Sequence, residues 1–499
     1  MKKLSEIIKL LEKKALLINT DITDDKDIEK ITYNSKEVEN KTLFFVKGRA
    51  FKQAYLDEAM KNGGACYIAE KEDPHNKNYI IVNDIRMAML EVARFFYDYP
   101  DQKIKLIGIT GTKGKSTTVT LVKTIFDEYL ITNNKKPCGI ISSINTYDGI
   151  NSYDSSLTTP ESLILYQNIY NAVRSGLEYM VIEISSQALK YHRVTNLNLD
   201  LAAILNIGVD HISPIEHPDF NDYFNSKLKI INLANTCIYN FDSEYQASII
   251  EKIKAQHKKA ISFSLVDNTK DYFACNINYQ NNYNHFDCVH NHKSTSYQLN
   301  LIGDYNIENA LVAIAIADYY HIDHQNIFKA LKKVEVAGRS NIFKTNDEKV
   351  IAIVDYAHNR LSFERVFELI KNNFSNYHKI VIFGVVGGKA LNRIDDICPL
   401  VATEADFIHI VPVDPADVPY ENIAKQMADK INEYHCPFEI HNQREAAIKK
   451  AFNNIEDKTL ILVAGKGNEK YQHIGAEYIK IRSDLEVTID EINNYNLKH

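Results

Sequence analysis

Gly108-Ile-Thr-Gly-Thr-Lys-Gly-Lys-Ser-Thr-Thr118 lies between a mostly apolar run, Ile104 to Ile109, and a helical pattern that begins near Ser116. A strand, a loop of small residues and a helix N-terminus together cradle a phosphate chain, because unpaired backbone N–H groups and the helix dipole both favour an anion. Gly111 and Gly114 lack a Cβ and let the backbone approach phosphate oxygens, Lys115 supplies a point charge, and the Ser116 hydroxyl can ligate Mg²⁺. The common phosphate loop, Gly-x-x-x-x-Gly-Lys, would need glycine where the chain has Ile109, so the narrower Thr-Gly-Thr-x-Gly-Lys-Ser remains. ATP with Mg²⁺ is the expected ligand, held by Gly111, Thr112, Lys113, Gly114, Lys115, Ser116 and Thr117.

Outward from this loop, strand patterns recur at 138–142, Tyr179-Met-Val-Ile-Glu and Leu201-Ala-Ala-Ile-Leu-Asn, separated by helical stretches. Short, almost wholly apolar strands alternating with helices predict a parallel sheet covered on both faces. Residues 260–302 alternate and are rich in Tyr and Asn, which suits an antiparallel extension. Beyond Val336-Ala-Gly-Arg, the runs starting at Val350, Lys379, Phe407 and Thr459 predict a second doubly wound unit. Before residue 100, Thr42-Leu-Phe-Phe-Val and Tyr79-Ile-Ile-Val alternate with amphipathic stretches at 52–62 and 85–98, and Tyr97-Asp-Tyr-Pro-Asp-Gln reads as a linker. The expected class is α/β in three domains: an N-terminal α/β domain over 1–103, a central ATPase-like parallel sheet over 104–337, and a Rossmann-like C-terminal domain over 338–499.

Composition narrows the partners. With 499 residues, 45% apolar and 25% charged, the chain has the balance of a multidomain globular protein, and a net charge of -7 gives no reason to expect nucleic acid. The seven scattered cysteines show no metal-ligand spacing, which fits a reduced cytoplasmic compartment. No stretch has signal-peptide or membrane-spanning character, so no membrane partner is expected, and a monomer is the simplest assembly.

Several strand ends carry polar groups. Glu183 closes an apolar strand next to the phosphate loop and is placed to hold Mg²⁺. Asn206-Ile-Gly-Val-Asp210-His211 closes another; His211 could ligate a second metal, orient a substrate or serve structure alone. Lys227, on a helical pattern among aromatics, reads locally as an ordinary surface lysine. Asp355, His358 and Asn359 follow a third strand, where they either face a ligand or cap a turn, and Ala464-Gly465-Lys-Gly467-Asn-Glu469 resembles a small anion-binding turn.

Taken together and in this order, these motifs resemble the Mur ligase family over essentially the whole chain. Thr110-Gly-Thr-Lys-Gly-Lys-Ser, Leu157-Thr-Thr-Pro, Glu183-Ile-Ser-Ser, Asp210-His211, Gly338-Arg339, Asp355-Tyr-Ala-His-Asn and Ala464-Gly-Lys-Gly-x-Glu all fall in family order. The flanks Ile31-Thr-Tyr-Asn-Ser-Lys-Glu-Val and Leu43-Phe-Phe-Val-Lys-Gly look like a UDP-binding domain. The resemblance implies an ATP-dependent amide ligase of peptidoglycan precursor synthesis, in which a carboxylate becomes an acyl phosphate and an amine then attacks it. It implies Ser116, Glu183 and His211 as Mg²⁺ residues, Lys115, His211 and Lys227 as catalytic, and Lys227 as a lysine carrying a carbamate. Asn306, Arg339, Asp355, His358 and Asn359 become nucleotide contacts, and Ser35, Thr158, Thr159, Ser185 and Arg193 contacts to a UDP-MurNAc-dipeptide.

The amino-acid site is where the chain departs from part of that family. Members that add meso-diaminopimelate resemble one another in Asp-Asn-Pro-Arg; here Pro412-Val-Asp414-Pro415-Ala416-Asp417 has no arginine to grip a distal carboxylate. The acidic pair suits a distal ammonium, so L-lysine is the expected diamino acid, with Arg393, Asp414, Gly465 and Glu469 as its pocket. The same reaction with meso-diaminopimelate or ornithine, or a different superfamily member such as a folylpolyglutamate ligase, are the alternatives. Leu157-Thr-Thr-Pro and Ile31-Thr-Tyr-Asn-Ser-Lys argue against folate.

Overall fold

The computed structural model describes residues 1–48, 51–208, 212–213, 216–281, 283–388, 393–453, 455, 458–475 and 477–499. Its chain divides into two compact units, the first chiefly Met1–Ile212, Glu216–Tyr272 and Val312–Ile327, the second chiefly Phe273–Leu311 and Phe328–His499.

Among the described residues the first unit holds two main sheets and a short two-stranded antiparallel one, Lys2–Lys3 with Asp27–Ile28. One main sheet comprises β1 (Leu17–Thr20), β2 (Lys30–Thr32), β3 (Thr42–Phe45), β4 (Cys66–Ala69) and β5 (Tyr79–Val82) in the order β1-β5-β4-β3-β2, parallel except for β1. The other is built from β6 (Lys105–Thr110), β7 (Gly139–Ile141), β8 (Asn145–Tyr147), β9 (Ser152–Asp154), β10 (Tyr179–Glu183), β11 (Leu199–Ile204), β12 (Ala234–Asn240) and β13 (Lys259–Ser264). These run β9-β8-β7-β10-β6-β11-β12-β13, with β7 and β10 to β13 parallel to β6, as the apolar runs predict. Central β6 therefore has β10 on one side and β11 on the other. Glu183, paired with Ile109, and Asn206, just past β11, flank the loop that leaves β6. This is the carboxyl end of the sheet, where ligands bind in open parallel sheets.

One continuous apolar core, from Leu4, Ile7 and Leu11 to Ile249 and Ile253, runs through both main sheets of this unit. The expected linker at 97–102 is part of it. Asp101 is fully buried, takes two hydrogen bonds from Arg94 (3.1 and 2.9 Å to Oδ2) and accepts the backbone N–H of Asn198 at 3.1 Å. A buried carboxylate needs such partners, and supplying them locks the segment in place; sequence polarity alone concealed this.

The second unit contains the antiparallel strands β14 (Tyr272–Gln280), β15 (Tyr283–His290) and β16 (Lys293–Leu299). Its main sheet has β17 (Asn341–Lys344), β18 (Val350–Asp355), β19 (His378–Phe383), β20 (Phe407–Ile410), β21 (Phe438–Ile440) and β22 (Thr459–Ala464) in the order β17-β18-β22-β19-β20-β21, parallel except for edge strand β17. Gly338, at φ +71°, lies against the Gly467 turn so closely that a Cβ would stand 2.4 Å from the Asn468 nitrogen, so only glycine fits. The α/β class with largely parallel sheets is the one expected.

Candidate nucleotide and substrate sites

In the first unit the phosphate loop is held from both flanks. The helix Lys115–Thr132 starts at Gly114, whose φ of +85° is left-handed, and a Cβ on Gly111 would come within 2.9 Å of Leu205 Cβ. Lys115 curls back and donates to the carbonyls of Gly111 (2.9 Å) and Thr112 (3.3 Å). Asn206 clamps the loop: its Oδ1 accepts the Lys113 N–H at 2.8 Å, its Nδ2 donates to the Lys113 carbonyl at 3.1 Å, and its own carbonyl accepts the Thr112 N–H at 2.9 Å.

On the other flank Ser116 Oγ donates to Glu183 Oε1 at 3.2 Å, while Ser143 N–H donates to Glu183 Oε2 at 2.8 Å. Glu183 is 1% exposed. A buried carboxylate and a hydroxyl this close are hard oxygen donors with unused lone pairs, the donor set that suits Mg²⁺. His211, and Asp210 beside it, lie outside the described residues.

Lys227 is not the surface lysine its local sequence suggests. It is 2% exposed, sits 4.7 Å from the centre of the Tyr223 ring, and donates from Nζ to the Gly111 carbonyl at 2.8 Å. The helix Phe220–Leu228 thus reaches the loop twice, because Tyr223, one turn earlier, shares a hydrogen bond with Thr112 Oγ1 at 2.9 Å. Its N-terminus is fixed through Asp222, which accepts from Lys190 and bonds His217 Nδ1, both at 2.6 Å; His217 Nε2 meets Ser186 Oγ at 3.0 Å. Burial alone would raise the Asp222 carboxyl, but hydrogen bonds from Lys190 and His217 outweigh it and hold it below its ordinary range.

Four of the five residues expected to bind the UDP substrate lie together. Thr159 Oγ1 donates to the Glu183 carbonyl (2.8 Å) and accepts the Ser185 N–H (3.0 Å); Arg193 donates to the Thr159 carbonyl (3.0 Å); Thr158 Oγ1 accepts from Ser143 Oγ (3.0 Å). Glu161 is shared between Arg193 and Lys47, each at 2.8 Å, and among the described residues Arg193 Nε is buried without a hydrogen-bond partner. Burial pushes the Lys47 ammonium down from its ordinary value. Ser35 is separate: its hydroxyl donates to Glu58 at 2.5 Å. Tyr191 packs under the Arg86 guanidinium at 4.3 Å.

In the second unit the expected residues form a charged chain. Asp355 accepts from the backbone and hydroxyl of Ser340 (2.7 and 2.9 Å), and burial raises its carboxyl while Arg339 opposes the rise. Arg339 stacks 4.1 Å over Tyr356, whose hydroxyl donates to Glu469 at 2.7 Å. Lys466, 2% exposed, lies between Glu469 (2.5 Å) and Asp414 (3.0 Å). Asp414, expected to meet a free ammonium, is therefore already paired. Gly465 ends β22 at φ +114°. Asn359 caps its own helix by accepting the Ser362 N–H at 3.1 Å, His358 Nδ1 bonds the Tyr356 carbonyl at 2.7 Å, and Arg393 donates to the His358 carbonyl at 3.2 Å. Asn306 donates to the Ile302 carbonyl at 2.8 Å.

Sequence reasoning missed Asn206, Ser143, Tyr223, Glu161, Tyr356 and Lys466. Asn206, Tyr356 and Lys466 stood inside motifs read from the sequence, so their signal was available; Ser143, Tyr223 and Glu161 act through partners distant in sequence.

Residues 109–317 match the Mur ligase middle domain, and residues 338–467 the Mur ligase, glutamate ligase domain. The chain is 30% identical to the UDP-N-acetylmuramyl-tripeptide synthetase of Lactobacillus acidophilus, over 98% of this chain and 97% of that protein. It is 31% identical to the UDP-N-acetylmuramoyl-L-alanyl-D-glutamate–L-lysine ligase of Enterococcus faecalis, over 96% and 94%. A solved UDP-N-acetylmuramoyl-L-alanyl-D-glutamate–2,6-diaminopimelate ligase superposes with a TM-score of 0.64 at 20% identity, covering 100% of this chain and 99% of that one, a likeness of fold. The phosphate loop with its flanking Glu183, the domain matches and the full-length likeness agree: this chain belongs to the Mur ligase family.

Proposed function

We propose that this chain is an ATP-dependent ligase that joins a diamino acid, L-lysine, to UDP-MurNAc-L-Ala-D-Glu, with release of ADP and phosphate. The observation that carries the reading is the buried Ser116–Glu183 pair beside a loop held by Lys115 and Lys227. Ser116 and Glu183 would hold Mg²⁺, with His211 as a further ligand; the ion, when bound, offsets charge on the phosphates. Lys115 and the loop N–H groups bind the triphosphate and stabilise the transferring phosphoryl group. The terminal carboxylate of the UDP substrate attacks the γ-phosphorus, and the ADP oxygen leaves. The resulting acyl phosphate accepts the neutral amine of lysine, and a tetrahedral intermediate expels phosphate. Exclusion of water protects the acyl phosphate between these steps. We assign Lys227 as the carbamate-bearing lysine, its conversion to an anion suiting a site that must attract a cation.

Thr158, Thr159, Ser185, Arg193 and Ser35 are assigned to the UDP substrate, and Asn306, Arg339, Asp355, His358 and Asn359 to the nucleotide. We divide the work among 1–103 (UDP substrate), 104–337 (ATP) and 338–499 (amino acid). Two features favour L-lysine. No arginine stands in 412–417, and Asp414 with Glu469 carries one more negative charge than Lys466 neutralises, which suits a second ammonium and repels a second carboxylate. Arg393 and Gly465 complete that pocket.

The test is direct. Incubated with ATP, Mg²⁺ and UDP-MurNAc-dipeptide, the chain is offered L-lysine, meso-diaminopimelate or L-ornithine separately, and the product is weighed by mass spectrometry. A lysine adduct is expected; a diaminopimelate adduct without a lysine one overturns the specificity, and no adduct with any amine overturns the reaction.

A further inference from the structure

Another cluster of metal-ligating side chains lies at the edge of the second unit's main sheet. Strands β20 and β21 are parallel and in register, with His409 opposite Glu439. In-register partners project to the same face, and His441, two residues after Glu439, returns to it. Strand geometry therefore brings the three side chains together. His409 Nδ1 is 2.9 Å from His441 Nε2, which is 3.6 Å from Glu439 Oε2, and the three ligand atoms lie within 4.8 Å of one another.

We propose that His409, Glu439 and His441 form a site for a divalent transition metal of the Zn²⁺ class, bracing β20 to β21. A tetrahedral ion with bonds of about 2.0–2.1 Å sets its ligand atoms roughly 3.3 Å apart, and the separations of 2.9 and 3.6 Å bracket that value. Proton bookkeeping points the same way. His441 Nε2 faces both His409 Nδ1 and Glu439 Oε2, and a single N–H between the rings serves one contact, whereas a cation serves all three. The other carboxylate oxygen, Glu439 Oε1, is held by Lys450 at 2.5 Å, which leaves Oε2 turned to the rings. His409 is fully buried, but the Glu439 side chain is 37% exposed and offers a path in from solvent, with room for water as a fourth ligand. Two imidazoles and a carboxylate select Zn²⁺ over the Mg²⁺ that suits Ser116 and Glu183.

The full chain, stripped with EDTA and kept free of ATP, is titrated with Co²⁺ while the visible ligand-field bands are followed, and Zn²⁺ is then used to displace the Co²⁺. One equivalent bound with strong tetrahedral bands, and a loss of affinity of at least about tenfold in both His441→Gln and Glu439→Gln, is expected. Far-UV circular dichroism verifies that each variant is folded; Glu439→Gln, on the exposed residue, carries the test if the other is not. No uptake by the natural chain, or uptake that a folded variant leaves unchanged, overturns the proposal.

Discussion

Asn206 is the residue whose replacement best tests the account of the phosphate loop. Its side chain makes a reciprocal pair of hydrogen bonds with the Lys113 peptide, at 2.8 and 3.1 Å, and so sets the loop's shape before any ligand arrives. Asn206→Ala removes both. At about 1 kcal/mol each for bonds in a half-buried setting, roughly 2 kcal/mol of loop preorganisation is lost, which weakens ATP binding about 10- to 30-fold. Asn206→Asp is the sharper probe. It keeps an acceptor for the Lys113 N–H, but sets a carboxylate oxygen against the Lys113 carbonyl and adds a negative charge below the phosphates. It is therefore expected to bind ATP more weakly than the alanine variant. Calorimetric titration with a non-hydrolysable ATP analogue and Mg²⁺ reads both, and thermal melting separates loop effects from global unfolding. If Asn206→Ala binds within about twofold of the natural chain, or if the aspartate variant binds better than the alanine one, the clamp does not preorganise the loop.

Glu183→Gln retains an oxygen for the Ser143 N–H but loses the charge; ADP formation is expected to fall about 100-fold or more with the melting temperature unchanged, measured by coupled assay and calorimetry. Lys466→Met strands the carboxylates of Asp414 and Glu469, both partly screened by water, so a stability loss of about 1–3 kcal/mol in urea is expected, with a fall in KM for L-lysine, whose second ammonium meets more unopposed negative charge, and little change in KM for ATP. The His409 imidazole is lowered to about 4 from an ordinary 6.5, so the stability it contributes is fully present above pH 6.5 and is lost as pH falls toward 4. In EDTA this removes about 2 kcal/mol between pH 7.5 and pH 5, and urea denaturation should find that slope reduced in His409→Gln. An equal slope in both proteins would sink this assignment.

How much of this was legible in the sequence follows the range of the interactions involved. The β6–loop–helix unit, Glu183 at the end of β10 and the parallel order of the sheets came from local apolar runs and spacing, which report burial directly. Lys227 did not. Its neighbours read as an amphipathic surface helix, and only the loop 116 residues earlier, whose carbonyl its ammonium meets, explains its burial. The segment 97–102 misled for the same reason: its proline and acids look like a linker until Arg94 and Asn198 supply the partners that bury Asp101. Asn359 shows how one residue type fits two readings, since a strand-end asparagine can meet a ligand or cap a helix; its side-chain oxygen caps a helix, which leaves the nucleotide reading untouched. Asp414 appeared as an unopposed charge because the cation that meets it stands 52 residues later.

The sharing of Glu161 between Lys47 and Arg193 has a practical consequence. Among the described residues, two cations share one anion here, all largely withdrawn from solvent, and Arg193 Nε has no acceptor. Small dianions will migrate there. Sulfate or phosphate in a storage buffer should compete with the nucleotide-sugar here as well as with ATP at the phosphate loop, so affinities for both ligands should be weaker in sulfate than in chloride.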